Sequence, residues 1–142
     1  VKDVTDAVAA QLRKAGIKVK RTVLPSATYW NDWLNYPFSE TDWNHRPLGV
    51  QVYSLSYRSD AAWNETGFRS AEFDGLLDQA VAIVDAEQRS KIMAKLEQIL
   101  VDEGVIIQPF WRSLYRHARV GVVGAEMHPT FELHLYKLGL SA

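Results

Sequence analysis

The chain has no cysteine, which excludes disulfides, cysteine nucleophiles and cysteine-ligated zinc and is compatible with export and with the cytosol alike. No apolar run reaches the roughly 18 residues that a membrane-crossing helix needs, so the chain is not expected to span a bilayer. No basic n-region followed by an apolar h-region opens it. An excess of charge of one sign is also lacking. Its 16 Lys and Arg are balanced by 17 Asp and Glu, a formal net charge of -1, which gives no general attraction to nucleic acid or to an anionic membrane. Partners must therefore be recognised at local sites.

Several chemical signatures are absent as well. There is no HExxH, no GxSxG elbow and no glycine-rich fingerprint following a strand, so zincin-type, hydrolase-type and nucleotide-type chemistry have no motif to rest on. The four histidines, His45, His117, His128 and His134, include no close pair with a ready metal-ligand spacing, and neither a metal nor a cofactor is expected. Ser26, Ser54, Ser56 and Ser59 and the loop acids Glu40, Asp42, Asp60 and Glu65 permit triads or acid/base pairs only on paper. The segment WRSLYRHAR (111–119) mixes aromatics with Arg112, Arg116, His117 and Arg119. The acidic residues elsewhere offset it, and a sheet edge with snorkelling arginines accounts for it without nucleic acid.

What is present suffices for a folded core. With 142 residues, 47% of them apolar and 23% charged, a closed domain would bury roughly 68–70% of its extended surface without help from metals or disulfides. Val4, Val8 and Leu12 keep helical spacing from the start, which predicts a first helix over about Asp3 to Ala15, ended by Gly16. Ile17, Val19, Arg21 and Val23 alternate with Lys18, Lys20 and Thr22, the pattern of a half-buried strand that stops at Pro25. Helix, glycine and strand make half of a βαβ unit whose first strand is absent, so the chain is expected to be a fragment of a longer one.

Residues 26–48 are irregular yet rich in rings, with Tyr29, Trp30, Trp33, Tyr36, Phe38 and Trp43, and a short helix capped by Ser26 is expected over Tyr29 to Leu34. Gly49 to Leu55 reads as a second strand. Ser70 is a good N-cap for a helix with the stripe Phe73, Leu76, Leu77, Ala80, Val81 and Val84. Asp85 with Gln88 suggests a capping box for another, with the stripe Ile92, Met93, Leu96, Ile99 and Leu100, ending near Gly104. Val105 to Phe110 fits a strand covered on both faces and closed by Pro109, and Arg116 to Val122 a further strand. The order predicts an α/β layer architecture.

Trp43, His45, Arg46, Tyr57, Arg58, Asp60, Trp63, Asn64 and Glu65 are the candidate ligand-binding residues. Aromatics offer rigid apolar contact and cation–π faces, and Arg58 and Glu65 supply opposite charges suited to a zwitterion. They lie on connections leaving the expected second strand, where open α/β sheets hold ligands. The competing reading is a loop in which Arg58 pairs with Asp60 or Glu65 and the tryptophans plug the core.

The stretches QLRKAGIKVKRTVLPSATYWNDW (11–33), WNHRPLGVQVYSLSYR (43–58), AAWNETGFRSAEFDGLLDQA (61–80), DAEQRSKIMAKLEQILVDEGVIIQPFWRSLYRH (85–117) and VGVVGAEMHPT (120–130) together resemble the C-terminal lobe of the periplasmic dipeptide/oligopeptide-type substrate-binding proteins of ABC transporters. That resemblance implies part of one lobe of a two-lobed periplasmic binding protein, with a central mixed sheet flanked by helices. Residues 1–127 would form a partial C-terminal α/β lobe, and 128–142 would return toward the hinge and the missing first lobe. The implied partners are a peptide or similar small polar solute, a cognate permease and the first lobe, with self-association of the fragment through surfaces meant for that lobe. The implied location is the periplasm, and the implied role is capture without chemical change. Relatives that bind peptides often carry an aspartate after a tryptophan beyond the central strand. Here Ser56, Tyr57, Arg58, Ser59 and Asp60 stand in that region, with Trp43 before the expected strand, so Asp60 takes the amino-terminus role only if the loop geometry agrees. A small α/β hydrolase-like or metal-dependent enzyme domain and a non-catalytic protein-interaction module are the alternatives.

Overall fold

A computed structural model describes residues 2–110, 113–128 and 132–141. Helix α1 spans Lys2–Lys14, as its apolar spacing predicts, and Gly16 leaves it at φ +88°, a left-handed conformation that glycine adopts without a Cβ penalty. The Arg13 guanidinium then donates to the Val19 carbonyl at 2.9 and 3.1 Å, and Arg21 pairs with Asp6 at 2.6 Å. These bonds tie the following segment to the helix it has just left. That segment, 17–25, is not the strand its alternation predicts. A half-buried strand needs a ladder partner, and among the described residues none pairs with it.

Helix α2 covers Ser26–Asp32 and passes into a 3-10 turn at Trp33–Asn35. Ser26 is the first helical residue rather than the cap. Helix α3, Gly49–Ser56, replaces the expected second strand. Its two valines and Tyr53 favour a strand by composition, but Val50, Tyr53 and the C-capping Tyr57 recur at helical spacing and all three join the core. The Leu48 N–H is satisfied by Gln51 Oε1 at 3.1 Å, the glutamine half of a capping box. At Gly49 an added Cβ would press on Met93 Cε at 3.0 Å, a measure of how closely α3 approaches the helix carrying Met93.

Helices α4, Ala71–Ala82, and α5, Ala86–Asp102, begin where their caps predict. Ser70 Oγ accepts from Phe73 N at 3.1 Å and Asp85 Oδ1 from Gln88 N at 2.8 Å, each filling an orphan donor of a first turn. Phe73, Leu77, Ala80, Leu96 and Leu100 are buried where the two helices meet α3. The predicted stripe of α4 stops short of its end: Val81 is exposed and Val84 is 94% exposed. Gly104, at φ +60°, ends α5. Val105 and Ile106 then pack on the core, while Ile107 and Phe110 are exposed. The doubly covered strand expected over 105–110 does not form.

Of the strand expected over Arg116 to Val122, only Val122 is in a ladder. Strand β1, Val122–Val123, pairs antiparallel with β2, Gly139–Leu140, in the register Val122 to Leu140 and Val123 to Gly139. A 3-10 turn at Leu135–Lys137 leads into β2. The architecture is thus a three-helix core with α1, α2 and a two-stranded ribbon. The expected central mixed sheet is not among the described residues. No described helix is long and apolar enough to cross a membrane.

Candidate functional site

The ring-rich segment after α1 assembles a continuous aromatic string. Tyr36 stacks on Tyr29 with centroids 5.6 Å apart, Tyr29 meets Trp30 edge-on at 5.2 Å, and Trp30 meets Trp33 at 5.5 Å. Trp33 leads to Trp43 at 6.3 Å, and Trp43 to Trp63 at 5.9 Å. These separations lie within the range of favourable ring pairs, each worth about 0.5–1.5 kcal/mol beyond area burial. The string also joins three separate stretches of chain. Trp63 remains 45% exposed and Trp30 is exposed, whereas Trp33 and Trp43 are half-buried.

Glu65 fixes the end of the string. Its Oε1 accepts from the Trp43 indole N–H at 2.9 Å, and its Oε2 accepts from the Thr41 hydroxyl. Thr41 Oγ1 in turn lies 3.1 Å from Tyr29 Oη, and Tyr29 donates to the Glu40 carbonyl at 3.1 Å. A carboxylate has about four acceptor positions, so these two bonds orient Glu65 and leave acceptor capacity for a third donor. Tyr57 sits beneath, almost wholly buried and edge-on to Tyr53 at 5.7 Å. Burial, with the negative charge of Glu65 second, pushes its hydroxyl up to about 12. Tyr53 is raised further still, again chiefly by burial.

The loop from Arg58 to Ser70 is pinned at both ends. Arg58 pairs with Asp78 of α4, a partner the sequence reading did not consider. Asn64 Nδ2 donates to the carbonyls of Arg58 and Phe68 at 3.1 and 2.8 Å, and Asn64 Oδ1 accepts from Thr66 N and Thr66 Oγ1. Ser59 N donates to Asp74 Oδ1 at 3.0 Å, Arg69 to the Ser59 carbonyl at 2.8 Å, and Ser70 N to Ser59 Oγ at 3.1 Å. Asn64 therefore shapes the loop, and Trp63 is displayed from it.

The structure thus brings together Trp43, Trp63 and Glu65 of the expected site. Arg58 is engaged with α4 and Tyr57 with the core, while Asp60 and His45 are exposed. Arg46 donates to the carbonyls of Asn44 and His45, both at 3.2 Å. The sequence reading left Tyr29, Trp30, Trp33 and Thr41 out of the site. Part of their signal was present: Tyr29 and Trp30 stand four and three residues before Trp33, the spacings that put rings on one helical face. Among the serines, Ser54 Oγ donates to the Val50 carbonyl at 2.8 Å and Ser59 Oγ accepts from backbone, so neither is held by a base. Arg112 of the basic segment lies outside the described residues.

Two concavities, of about 530 and 200 Å³, lie at residues 13–20 and near His128 and His134. Neither of these two is lined by the aromatic string.

Comparisons with known proteins point in one direction. The chain is 23% identical over 131 residues to the dipeptide-binding protein DppE of Bacillus subtilis, covering 90% of this chain and 24% of that protein. It is 23% identical over 94 residues to the probable deoxycholate-binding periplasmic protein YgiS of Escherichia coli, covering 66% of this chain and 18% of that one. No protein-family model matches, and no solved structure matches with significance. The chain spans about a quarter or less of the curated relatives it matches, and both are named for binding a solute rather than for transforming one; the chain is similar, at low identity, to a part of each.

Proposed function

We propose that this chain is part of one lobe of a two-lobed solute-binding protein that captures a small organic solute for import through an ABC-transporter permease, in the periplasm, without chemical change. The similarity to two solute-binding proteins across 90% and 66% of the chain is the observation that carries this reading. The site supports it physically. An open aromatic wall with a fixed carboxylate supplies contact area and one orienting acceptor, and a second lobe closing over it would exclude water. In this reading residues 1–127 belong to the lobe body and 128–142 to its return toward the hinge.

The wall is Trp43, Trp63 and Glu65, with Trp30 and Trp33 extending it. Arg58, Tyr57 and Asn64 act behind it, by holding the loop. His45, Arg46 and Asp60 would supply polar contacts around the solute. Such a surface suits a solute with an apolar face and one hydrogen-bond donor. A peptide amino terminus meets the second requirement, and an amphipathic acid such as a bile salt meets the first.

Calorimetric titration of the full-length gene product with a dipeptide panel and with deoxycholate tests the proposal. Saturable binding of one class is expected, returned chemically unaltered, with Trp63→Ala weakening it by about tenfold or more, the loss of a buried aromatic contact. The 142-residue chain alone is expected to bind more weakly than about 1 µM, because it supplies a fraction of the contacts. Equal, tight binding by the short chain would contradict the two-lobed account, and conversion of the solute would contradict capture without chemistry.

A further inference from the structure

The ribbon end of the molecule carries a second cluster that the aromatic wall does not use. His128, Glu132 and His134 each offer one ligand atom, and the three atoms lie within 4.8 Å of one another. His134 Nε2 and Glu132 Oε2 are 3.0 Å apart, and the two imidazole rings have centroids 5.0 Å apart. A tetrahedral zinc with bonds of about 2.0–2.1 Å spaces its ligand atoms roughly 3.3–3.5 Å apart. The His134–Glu132 edge, at 3.0 Å, is within about 0.5 Å of that spacing. The others need side-chain movement of about 1 Å to close.

The surrounding residues hold this cluster in place. Arg116 donates to the Glu126 carbonyl at 2.7 Å and to the Glu132 carbonyl at 2.9 Å, linking the stretch that carries His128 to the stretch that carries His134. Gly124, at φ +74°, lies so close to Lys137 that an added Cβ would collide with the Lys137 carbonyl, so the chain leaving β1 is locked to the turn entering β2. Ser141 N closes the ribbon on the Gly121 carbonyl at 2.7 Å. The His134 ring stacks on Tyr136 at 5.4 Å, which limits its rotation. The cluster opens onto the 200 Å³ notch, which leaves room for a fourth ligand.

The charges nearby do not exclude a cation. The Arg116 guanidinium is committed to two carbonyls, Lys137 Nζ sits over the Tyr136 ring at 5.6 Å, and Glu126 lines the same notch. Two imidazoles and one carboxylate select a borderline divalent ion of the zinc, nickel or copper type over magnesium or calcium, which prefer all-oxygen shells. We propose that His128, Glu132 and His134 form a three-ligand site for such an ion, with an open fourth position. The bound ion clips the segment ending at His128 to the segment 132–134.

The test is titration of the tag-free 142-residue chain, cleared of metal with a chelator, with zinc chloride. One equivalent is expected to bind with a Kd of about 10 µM or tighter, as suits three protein ligands. His128→Ala, His134→Ala and Glu132→Gln should each weaken it by about tenfold or more, while His45→Ala and His117→Ala leave it unchanged. Ring-nitrogen spectra of the wild type give a reading independent of variant folding: zinc should shift His128 and His134 and leave His45 and His117 in place. No binding at about 100 µM zinc, or a zinc response centred on His45 or His117, overturns the proposal.

Discussion

The three-helix core and the segments that flank it obey the same chemistry with opposite outcomes. In α4 and α5 the helix starts and the core stripes are satisfied by near neighbours in sequence: Ser70 caps Phe73, Asp85 caps Gln88, and the two stripes close on each other across a short connection. In 17–25 and 105–110 the residues have the alternation or the apolar run of strands, yet no ladder partner among the described residues, and Ile17, Val23, Ile107 and Phe110 are exposed. Helices satisfy their own backbone, whereas strands borrow satisfaction from elsewhere. The difference fits the proposal that this chain is part of a larger lobe whose sheet is completed by other segments.

Substitutions in the two regions should therefore differ sharply. Leu96→Ala, at a fully buried position between α4 and α5, is expected to cost about 3 kcal/mol through lost transfer energy and a residual cavity. Ile107→Ala, the same kind of truncation in a flank, should change stability by less than about 0.5 kcal/mol. Urea midpoints of the two variants measure the contrast, and equal losses would erase the distinction between core and flank.

The core should also show its own response to alkali. Burial raises Tyr57 from an ordinary 10 to about 12, with Glu65 adding to the shift, so the native state holds that proton more tightly than the unfolded chain does. The associated stability is complete below pH 10 and is lost as pH rises from 10 toward 12. Wild type should lose about 2 kcal/mol more than Tyr57→Phe across that window. Parallel pH profiles of the two proteins would show that the Tyr57 hydroxyl is not held in a dry site.

Smaller effects sharpen the picture of how the core is closed. Ser70→Ala removes the acceptor for Phe73 N and should destabilise by about 1 kcal/mol. Ser56→Ala should act in the other direction. Ser56 Oγ is buried without a hydrogen-bond partner among the described residues, so its removal is expected to raise stability by about 1 kcal/mol, measurable as a higher melting temperature.

What was legible in the sequence follows the same division. The extents of α1, α4 and α5 could be read from their stripes and from Gly16, Ser70, Asp85 and Gly104, because those signals are local. Helix α3 reads as a strand by its valine and tyrosine composition, and only packing against α4 and α5 makes the helical spacing of Val50, Tyr53 and Tyr57 decisive. At the site, Trp43, Trp63 and Glu65 were legible as a cluster of suitable types. The partner of Arg58 was not, since Asp78 lies 20 residues away on a helix face that only the fold brings near. The approach of His128 to His134 was hidden for the same reason, set by the close passage of Gly124 past Lys137 and by the Arg116 bridge.

The central claim is that a helical core holds a pinned loop so that Trp43, Trp63 and Glu65 face a solute. The Trp43 indole N–H, bonded to Glu65 Oε1 at 2.9 Å, reports on that wall directly. In nitrogen-15 correlation spectra of the full-length protein, adding the solute that calorimetry identifies should shift the indole signals of Trp43 and Trp63 while the amides of α4 and α5 stay in place. Shifts confined to α4 and α5, with both indoles unmoved, would contradict it.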